Sequence, residues 1–397
     1  MYVNQPGLLQ TIVADHWEAV KLRLERKLPT DVFAAATTAV EKMLRCGTEE
    51  NGFARYRCGD CGLTHTLCFT CKSRFCPVCG KARAAEAAKN AQSRLLNVRH
   101  RHLTFSVPEE LRELLFWNRS LLSVVAKAAA QTTLEAVGTR CRAYPPRPGV
   151  MATVHTYGRD LNWHVHVHVL CTEGGLREDG VWQPVKLFPA QQYRRLWQHH
   201  LLSALRKRLK GKRGLCRLVG SLFHKYPTGF HVNVMSSYFN GKQAAAYCCR
   251  YTGRPPLSEK RITAYDGKHV TLSFTDYRDN QDKTLTLPAW AFLLRLLQHV
   301  WPRYQRDVHY YGLYQPSRRR ENTEAVARAS RYGDQVKPRP LLSRWERLLH
   351  GLSAPAFPCP HCGGTLYLEQ VRLRSNAHAP PKVQAGSAGA AQLSLHL

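Results

Sequence analysis

The chain reads as an α+β protein, with an antiparallel sheet flanked by helices and preceded by a helical, cysteine-rich segment. Three observations carry that reading. The runs "MATVHTY" and "WHVHVHVLC" alternate apolar and polar residues with period 2 on either side of the turn "GRDLN", as a pair of antiparallel strands does. Strand signals of this kind interleave with segments whose apolar residues recur at three- to four-residue steps, the mark of amphipathic helices. Before them, cysteines fall in C-x-x-C pairs next to glycine and proline, which are turn residues that a metal loop needs.

Taken in order, "IVADHWEAVKLRLE" and "DVFAAATTAVEKML" predict helices between about Leu8 and Cys46, broken and N-capped at Pro29-Thr30-Asp31. The cysteine segment follows, then a basic helix "KARAAEAAKNAQSRLL" and a strand "RHLTFSVP" stopped by Pro108. The leucine and alanine spacing predicts one long helix from Glu109 to about Thr139, ended by the Pro145-Pro146-Arg147-Pro148 stretch. After the strand pair, Tyr193, Trp197, Leu201, Leu205 and Leu209 mark an amphipathic helix over Ala190–Lys210. A strand "FHVNVM", a short helix at about Lys242–Tyr251, a hairpin "RITAYDG"/"HVTLSFTDYR" and a helix "PAWAFLLRLLQHV" complete the folded part. From about Ser375 the Ala, Gly, Ser and Pro content predicts a disordered tail. The expected division is 1–95, 96–320 and 321–397.

The 397 residues allow two or three domains, and 58 Lys and Arg against 28 Asp and Glu give a net charge of +30. Such an excess calls for a polyanionic partner, most simply nucleic acid, and argues against a small-substrate hydrolase. With no apolar run of transmembrane length, no signal-peptide pattern and no lipidation motif, the expected location is cytoplasmic. The run "RKRLKGKR", with Arg206, Lys207, Arg208 and Lys210, is either a solvated helix end or a phosphate contact.

In "CGDCGLTHTLCFTCKSRFCPVCG" the knuckles Cys58/Cys61 and Cys76/Cys79 have a spacing close to that of a structural zinc ribbon. Cys71 and Cys68 leave open which four thiolates bind. The later pair Cys359/Cys362 in "CPHCGG" reads as half of another ribbon with no obvious second half.

In "HVHVHVL", His164, His166 and His168 share one strand face and the valines the other. Same-face positions lie about 6.6 Å apart, so two imidazoles can converge on one ion. "KQAAAYCCRYTGRPP" places Tyr247 and Tyr251 on one helical face, with Gln243 a turn earlier and Arg250 and Arg254 flanking. Taken alone such a stripe is more simply core packing; beside a metal and cations, a phenol can attack phosphorus.

Together, "CKSRFCPVC", "HTYGRDLNWHVHVHVL" and "AAYCCRYTGRPPLS", with weaker echoes in "LLQHVWP" and "YYGL", resemble the rolling-circle transposases of the insertion sequence 91 family, within the HUH endonuclease superfamily. The resemblance runs from about Cys58 to Leu313. It implies an HUH-type sheet, Mg or Mn held by His166 and His168, and Gln243 where such enzymes can carry a third ligand. Tyr247 and Tyr251 match the nucleophile helix, and zinc belongs to the cysteine domain. His155 lies in a family motif, where packing and ligation both stay open. The implied activity is nicking and rejoining of single-stranded DNA, element ends and target, through a 5′-phosphotyrosine, in a bacterial cytoplasm at the nucleoid. The chain departs in its "YCCRY" cysteine pair and its incomplete last knuckle. A replication initiator or relaxase of the same chemistry, or a non-catalytic zinc-ribbon DNA-binding regulator, are the alternatives.

Overall fold

The structure, a computed structural model, describes residues 7–139, 143–238, 244, 255–276, 279–329 and 358–373. Its centre is a five-stranded antiparallel sheet. The strands are β3 (His100–Ser106), β4 (Gly149–Tyr157), β5 (Trp163–Thr172), β8 (Val232–Tyr238) and β12 (Val308–Gly312), in the order β12-β4-β5-β3-β8. The histidine-rich strand β5 is therefore central and paired on both edges, with β4 and with β3. A short hairpin of β6 (Gly174–Leu176) and β7 (Trp182–Pro184) follows β5.

The alternation seen in the sequence becomes two chemically different faces. Val165, Val167 and Val169 are fully buried with Val150, Ala152, Val154, Leu103, Phe105 and Val232 in one core cluster. Helices α5 (Leu121–Gly138) and α6 (Ala190–Arg208) cover that face, and the Trp197 ring meets Phe105 edge-on at 5.3 Å. Each buried valine contributes about 1.5–2 kcal/mol. A one-residue register slip would exchange every valine for a histidine, which pins the pairing. The opposite face carries the imidazoles, and next to them Met151 and Leu170 join a smaller cluster with Leu313, Tyr314 and Ala244.

The N-terminal helices α1 (Leu8–Glu25) and α2 (Thr30–Leu44) pack with the meander β9 (Ile262–Tyr265), β10 (His269–Asp276), β11 (Gln281–Pro288) and with the helix Ala289–Leu297, around Trp17, Val40, Val270 and Phe292. β1 (Gly52–Cys58) lies between β2 (Thr64–Cys68) and β13 (Leu366–Leu373), the last brought from far along the chain. Among the described residues no helix is long and apolar enough to cross a membrane.

Two expectations change. The long helix over Glu109–Thr139 is interrupted: a 3-10 turn leads into α4 (Arg112–Trp117), and α5 restarts after Asn118. Asn118 leaves helical geometry at φ −125° and its side chain donates to the Leu114 carbonyl, so it ends the first helix. Arg119 is buried over the Trp163 ring at 4.0 Å, which anchors the break. The hairpin expected at Arg261–Arg278 gains a third strand, β11, whose polar alternation "QDKTLTLP" gives little hydrophobic signal. The tail from Ser375 and the helix at about Lys242–Tyr251 lie outside the described residues, Ala244 excepted.

Candidate metal centres

His166 and His168, two residues apart on β5, turn their Nε2 atoms to within 3.1 Å of each other. Two nitrogens bound to one ion at about 2.1 Å with angles of 90–109° lie about 3.0–3.4 Å apart, so this spacing fits shared ligation. His155 joins them from β4, directly opposite His166, and the ligand atoms of His155, His166 and His168 all lie within 4.8 Å. His164, the first histidine of the run, stays outside this group and half-exposed.

His155 reaches this face by the ordinary alternation of β4, two residues after Thr153 and four after Met151, which oppose His168 and Leu170. Beyond it the register shifts: His155 pairs with His166 and Tyr157 with Trp163, so two residues of β5, His164 and Val165, oppose the single Thr156 of β4. Thr156 is held in place because its hydroxyl donates to His299 Nδ1 (3.1 Å), while His299 Nε2 donates to the Leu161 carbonyl (3.0 Å). Leu161, buried at φ +63°, forms the hairpin turn and also accepts from Gln298 (3.1 Å).

Behind the ligand atoms lies a polar shell. His166 Nδ1 donates to the His164 carbonyl (3.2 Å), which leaves its Nε2 lone pair facing the site. His168 Nδ1 lies 3.1 Å from His102 Nε2 and 3.3 Å from Thr104 Oγ1, both on β3. Burial, reinforced by the neighbouring imidazoles, holds His166 and His168 well below the ordinary histidine pKa. His102 is pushed down to about 3 by the same burial and by His155. Neutral imidazoles are the form that binds a metal.

Eight of the described cysteines form two groups of four. Cys46, Cys71, Cys76 and Cys79 converge at one point, with Cys46–Cys79 and Cys71–Cys79 sulfur separations of 3.6 Å. Cys46 follows the end of α2, while Cys76 caps and Cys79 lies within the first turn of α3 (Pro77–Gln92). Hydrogen bonds from Cys71 and from the helix backbone pull the Cys76 thiol down to about 5, overcoming burial, whereas burial pushes Cys46 up to about 12. A tetrahedron of sulfurs about 2.3 Å from zinc has edges of about 3.8 Å, close to these separations. The ribbon expected from Cys58/Cys61 with Cys76/Cys79 does not form. Cys58 and Cys61 instead meet Cys359 and Cys362, because β1 carries the first knuckle to the strand partner that carries the second. Cys68, on β2 opposite Phe53, belongs to neither group.

Of the remaining expected residues, Arg206, Lys207, Arg208 and Lys210 are exposed around the end of α6, the helix on the valine face. Gln243, Tyr247, Arg250, Tyr251 and Arg254 lie outside the described residues. Their neighbour Ala244 is fully buried beside Met151 and Leu170, whose side chains share the histidine face.

Comparison with known proteins decides the family. A family model described as "Putative transposase" matches residues 149–322, and one described as "Transposase zinc-binding domain" matches residues 12–107. The "Transposase for insertion sequence element IS801" of Pseudomonas savastanoi pv. phaseolicola is 32% identical over 286 residues, covering 69% of this chain and 68% of that one. The chain belongs to the insertion sequence 91 family of transposases. The "Putative transposase y4qJ" of Sinorhizobium fredii (strain NBRC 101917 / NGR234) is 26% identical over 356 residues, 84% of this chain and 88% of that one. No solved structure matches. The transposase is thus a DNA-cleaving enzyme of transposition with an N-terminal zinc-binding domain.

Proposed function

We propose that this transposase nicks and rejoins single-stranded DNA through a 5′-phosphotyrosine intermediate. The observation that carries the reading is the convergence of His155, His166 and His168 on the central strands of the sheet. These residues would hold a divalent ion, with His155 taking the third ligand place ahead of Gln243. When bound, Mn or Mg supplies polarisation of the scissile phosphate and stabilises negative charge on its oxygens. An imidazole set disfavours the hard, oxygen-seeking Mg ion relative to Mn, so Mn should support cleavage at lower concentration.

Ala244 is buried in one cluster with Met151 and Leu170, whose side chains share the histidine face, which supports Tyr247 and Tyr251 as the attacking groups. A phenolic oxygen forms the bond to phosphorus as the bond to the 3′ oxygen breaks, and that oxygen takes up a proton to leave a 3′-hydroxyl. The phosphodiester energy stays in the tyrosine link, so rejoining needs no nucleotide cofactor. Two tyrosines allow two successive transfers, between element end and target. The His102 and Thr104 side chains position the His168 ring.

Labelled single strands from the element ends, incubated with Mn or Mg and run on a denaturing gel, test this. Wild type should form a metal-dependent protein–DNA adduct that Tyr247→Phe and Tyr251→Phe each reduce and the double variant abolishes. DNA binding with no adduct on cognate ends would hand the lead to a non-catalytic regulator. Cleavage without strand transfer between ends would favour a relaxase-like cycle.

The +30 charge supports a DNA partner tracked by its backbone. Because α6 covers the valine face, its basic end would touch DNA flanking the scissile phosphate. Replacing Arg206, Lys207, Arg208 and Lys210 by glutamine should weaken binding of all single strands alike. The slope of log affinity against log salt should fall by about 0.7 for each phosphate that the variant no longer neutralises, as a salt titration would show. An unchanged slope would remove this run from the interface.

A further inference from the structure

We infer that Cys58, Cys61, Cys359 and Cys362 form a second structural zinc site, built half from the N-terminal module and half from the C-terminal segment. The second half lies outside both matched regions, 149–322 and 12–107. Cys58 and Cys362 sulfurs lie 3.5 Å apart and those of Cys61 and Cys359 3.8 Å apart, although the members of each pair are 304 and 298 residues distant in sequence. These are edges of a tetrahedron around zinc, whose ideal value is about 3.8 Å, and far from the disulfide bond length of about 2.05 Å.

The two half-sites share one local design. In the first, the Cys58 N–H donates to the Leu63 carbonyl (2.9 Å), the Gly62 N–H donates back to the Cys58 carbonyl (3.1 Å), and Gly62 has φ +71°. In the second, the Cys359 N–H donates to the Gly364 carbonyl (2.6 Å), the Gly363 N–H to the Cys359 carbonyl (2.8 Å), and Gly363 has φ +78°. Each chain turns back through a glycine in the left-handed region, one residue past its second cysteine. The amides of Leu63 and Gly364 then bond the sulfurs of Cys61 and Cys362. Amides aimed at sulfur favour the thiolate that a zinc ion binds. Two such loops facing each other across four sulfurs bind one ion.

The loops are brought together by the sheet. β13 pairs antiparallel with β1 from Gly52↔Leu373 to Cys58↔Leu366, Gly59 N–H donates to the Thr365 carbonyl (3.0 Å), and Arg57 pairs with Glu369 at 2.7 Å. Zinc at the open end of this ladder would lock residues 358–373 to the zinc-binding domain as one body, closing a loop that encloses the whole histidine sheet. Four thiolates leave no open position, so the site is structural.

Cys362 is exposed, which makes it the discriminating group. In purified full-length protein, elemental analysis should find two zinc ions per chain. Brief alkylation followed by peptide mapping should leave Cys359 and Cys362 protected with Cys58 and Cys61 until a chelator is added. Cys359→Ser/Cys362→Ser should reduce the zinc content to one per chain and leave Cys46, Cys71, Cys76 and Cys79 protected. One zinc per wild-type chain, rapid alkylation of Cys362 in the zinc-loaded protein, iron in place of the second zinc, or disulfides joining these cysteines would each overturn the assignment. The alkylation arm uses wild type alone, so a variant that fails to fold does not blunt the test.

Discussion

Replacing His168 by alanine is expected to lower metal-dependent DNA cleavage on the order of 10³-fold while leaving DNA binding intact. The size follows from the charge stabilisation a bound divalent ion gives a phosphoryl transition state, about 4 kcal/mol at about 1.4 kcal/mol for each tenfold in rate. His168 is chosen because its Nε2 faces His166 and its Nδ1 lies against His102 and Thr104, so its removal takes one proposed ligand and unlocks the polar shell. Thr104→Val should act more gently, weakening metal affinity about 10- to 100-fold, and extra metal should restore the rate. Single-turnover cleavage over a series of Mn concentrations separates the two: His168→Ala loses the plateau rate, Thr104→Val shifts the midpoint. His155→Ala should resemble His168→Ala if His155 is a ligand, and wild type if it only packs against Tyr157, whose ring stacks on it at 5.0 Å. Wild-type cleavage and metal dependence in His168→Ala would dismiss the histidine strand as the metal site.

How far the sequence could lead depends on the range of each signal. Period-2 alternation is local, so β4, β5 and the opposition of valine and histidine faces were legible from a few residues. The face of His155 follows from the same alternation, two residues after Thr153, but its meeting with His166 was not legible, because the bulge in β5 shifts the register that Tyr157 and Trp163 set by one residue. His102 and Thr104 carry no motif, and only the pairing of β3 with β5 reveals them. A C-x-x-C loop likewise announces that it binds a metal without naming its partner. The choice between Cys76/Cys79 and Cys359/Cys362 is made by the β1–β13 ladder, a pairing between sequence ends that no spacing rule contains. Cys46, alone at a helix end, offered only its residue type. The helix break at Asn118 was obscured because the leucine and alanine spacing continues on both sides of it.

Acid should unfold this protein well before its carboxylates are protonated. His100 and His299 are fully buried, and burial pushes them down to about 4 and about 3. Both use one ring nitrogen to donate to a carbonyl, Val98 for His100 and Leu161 for His299, and accept hydroxyl hydrogen bonds at the other, so the neutral form suits both sites. With folded values below the unfolded value of about 6.5, the unfolded chain binds more protons throughout the window between them. The stabilisation is complete above about pH 6.5 and is lost as pH falls toward 4. Between pH 7 and pH 5 each of the two should cost about 2 kcal/mol, a large share of a typical folding free energy of about 5–15 kcal/mol. Urea unfolding at saturating zinc should show this loss, and His299→Gln should flatten the slope by nearly half of the part these two residues supply. Parallel slopes for wild type and His299→Gln would trace acid sensitivity to the thiolate clusters instead. The consequence reaches the candidate centre, because His299 holds Thr156, the residue that follows His155 in β4 and lies opposite the bulge of β5. Protonating His299 removes the acceptor for the Thr156 hydroxyl, so His299→Gln should also weaken Mn binding at neutral pH, although the side chain is not itself a ligand.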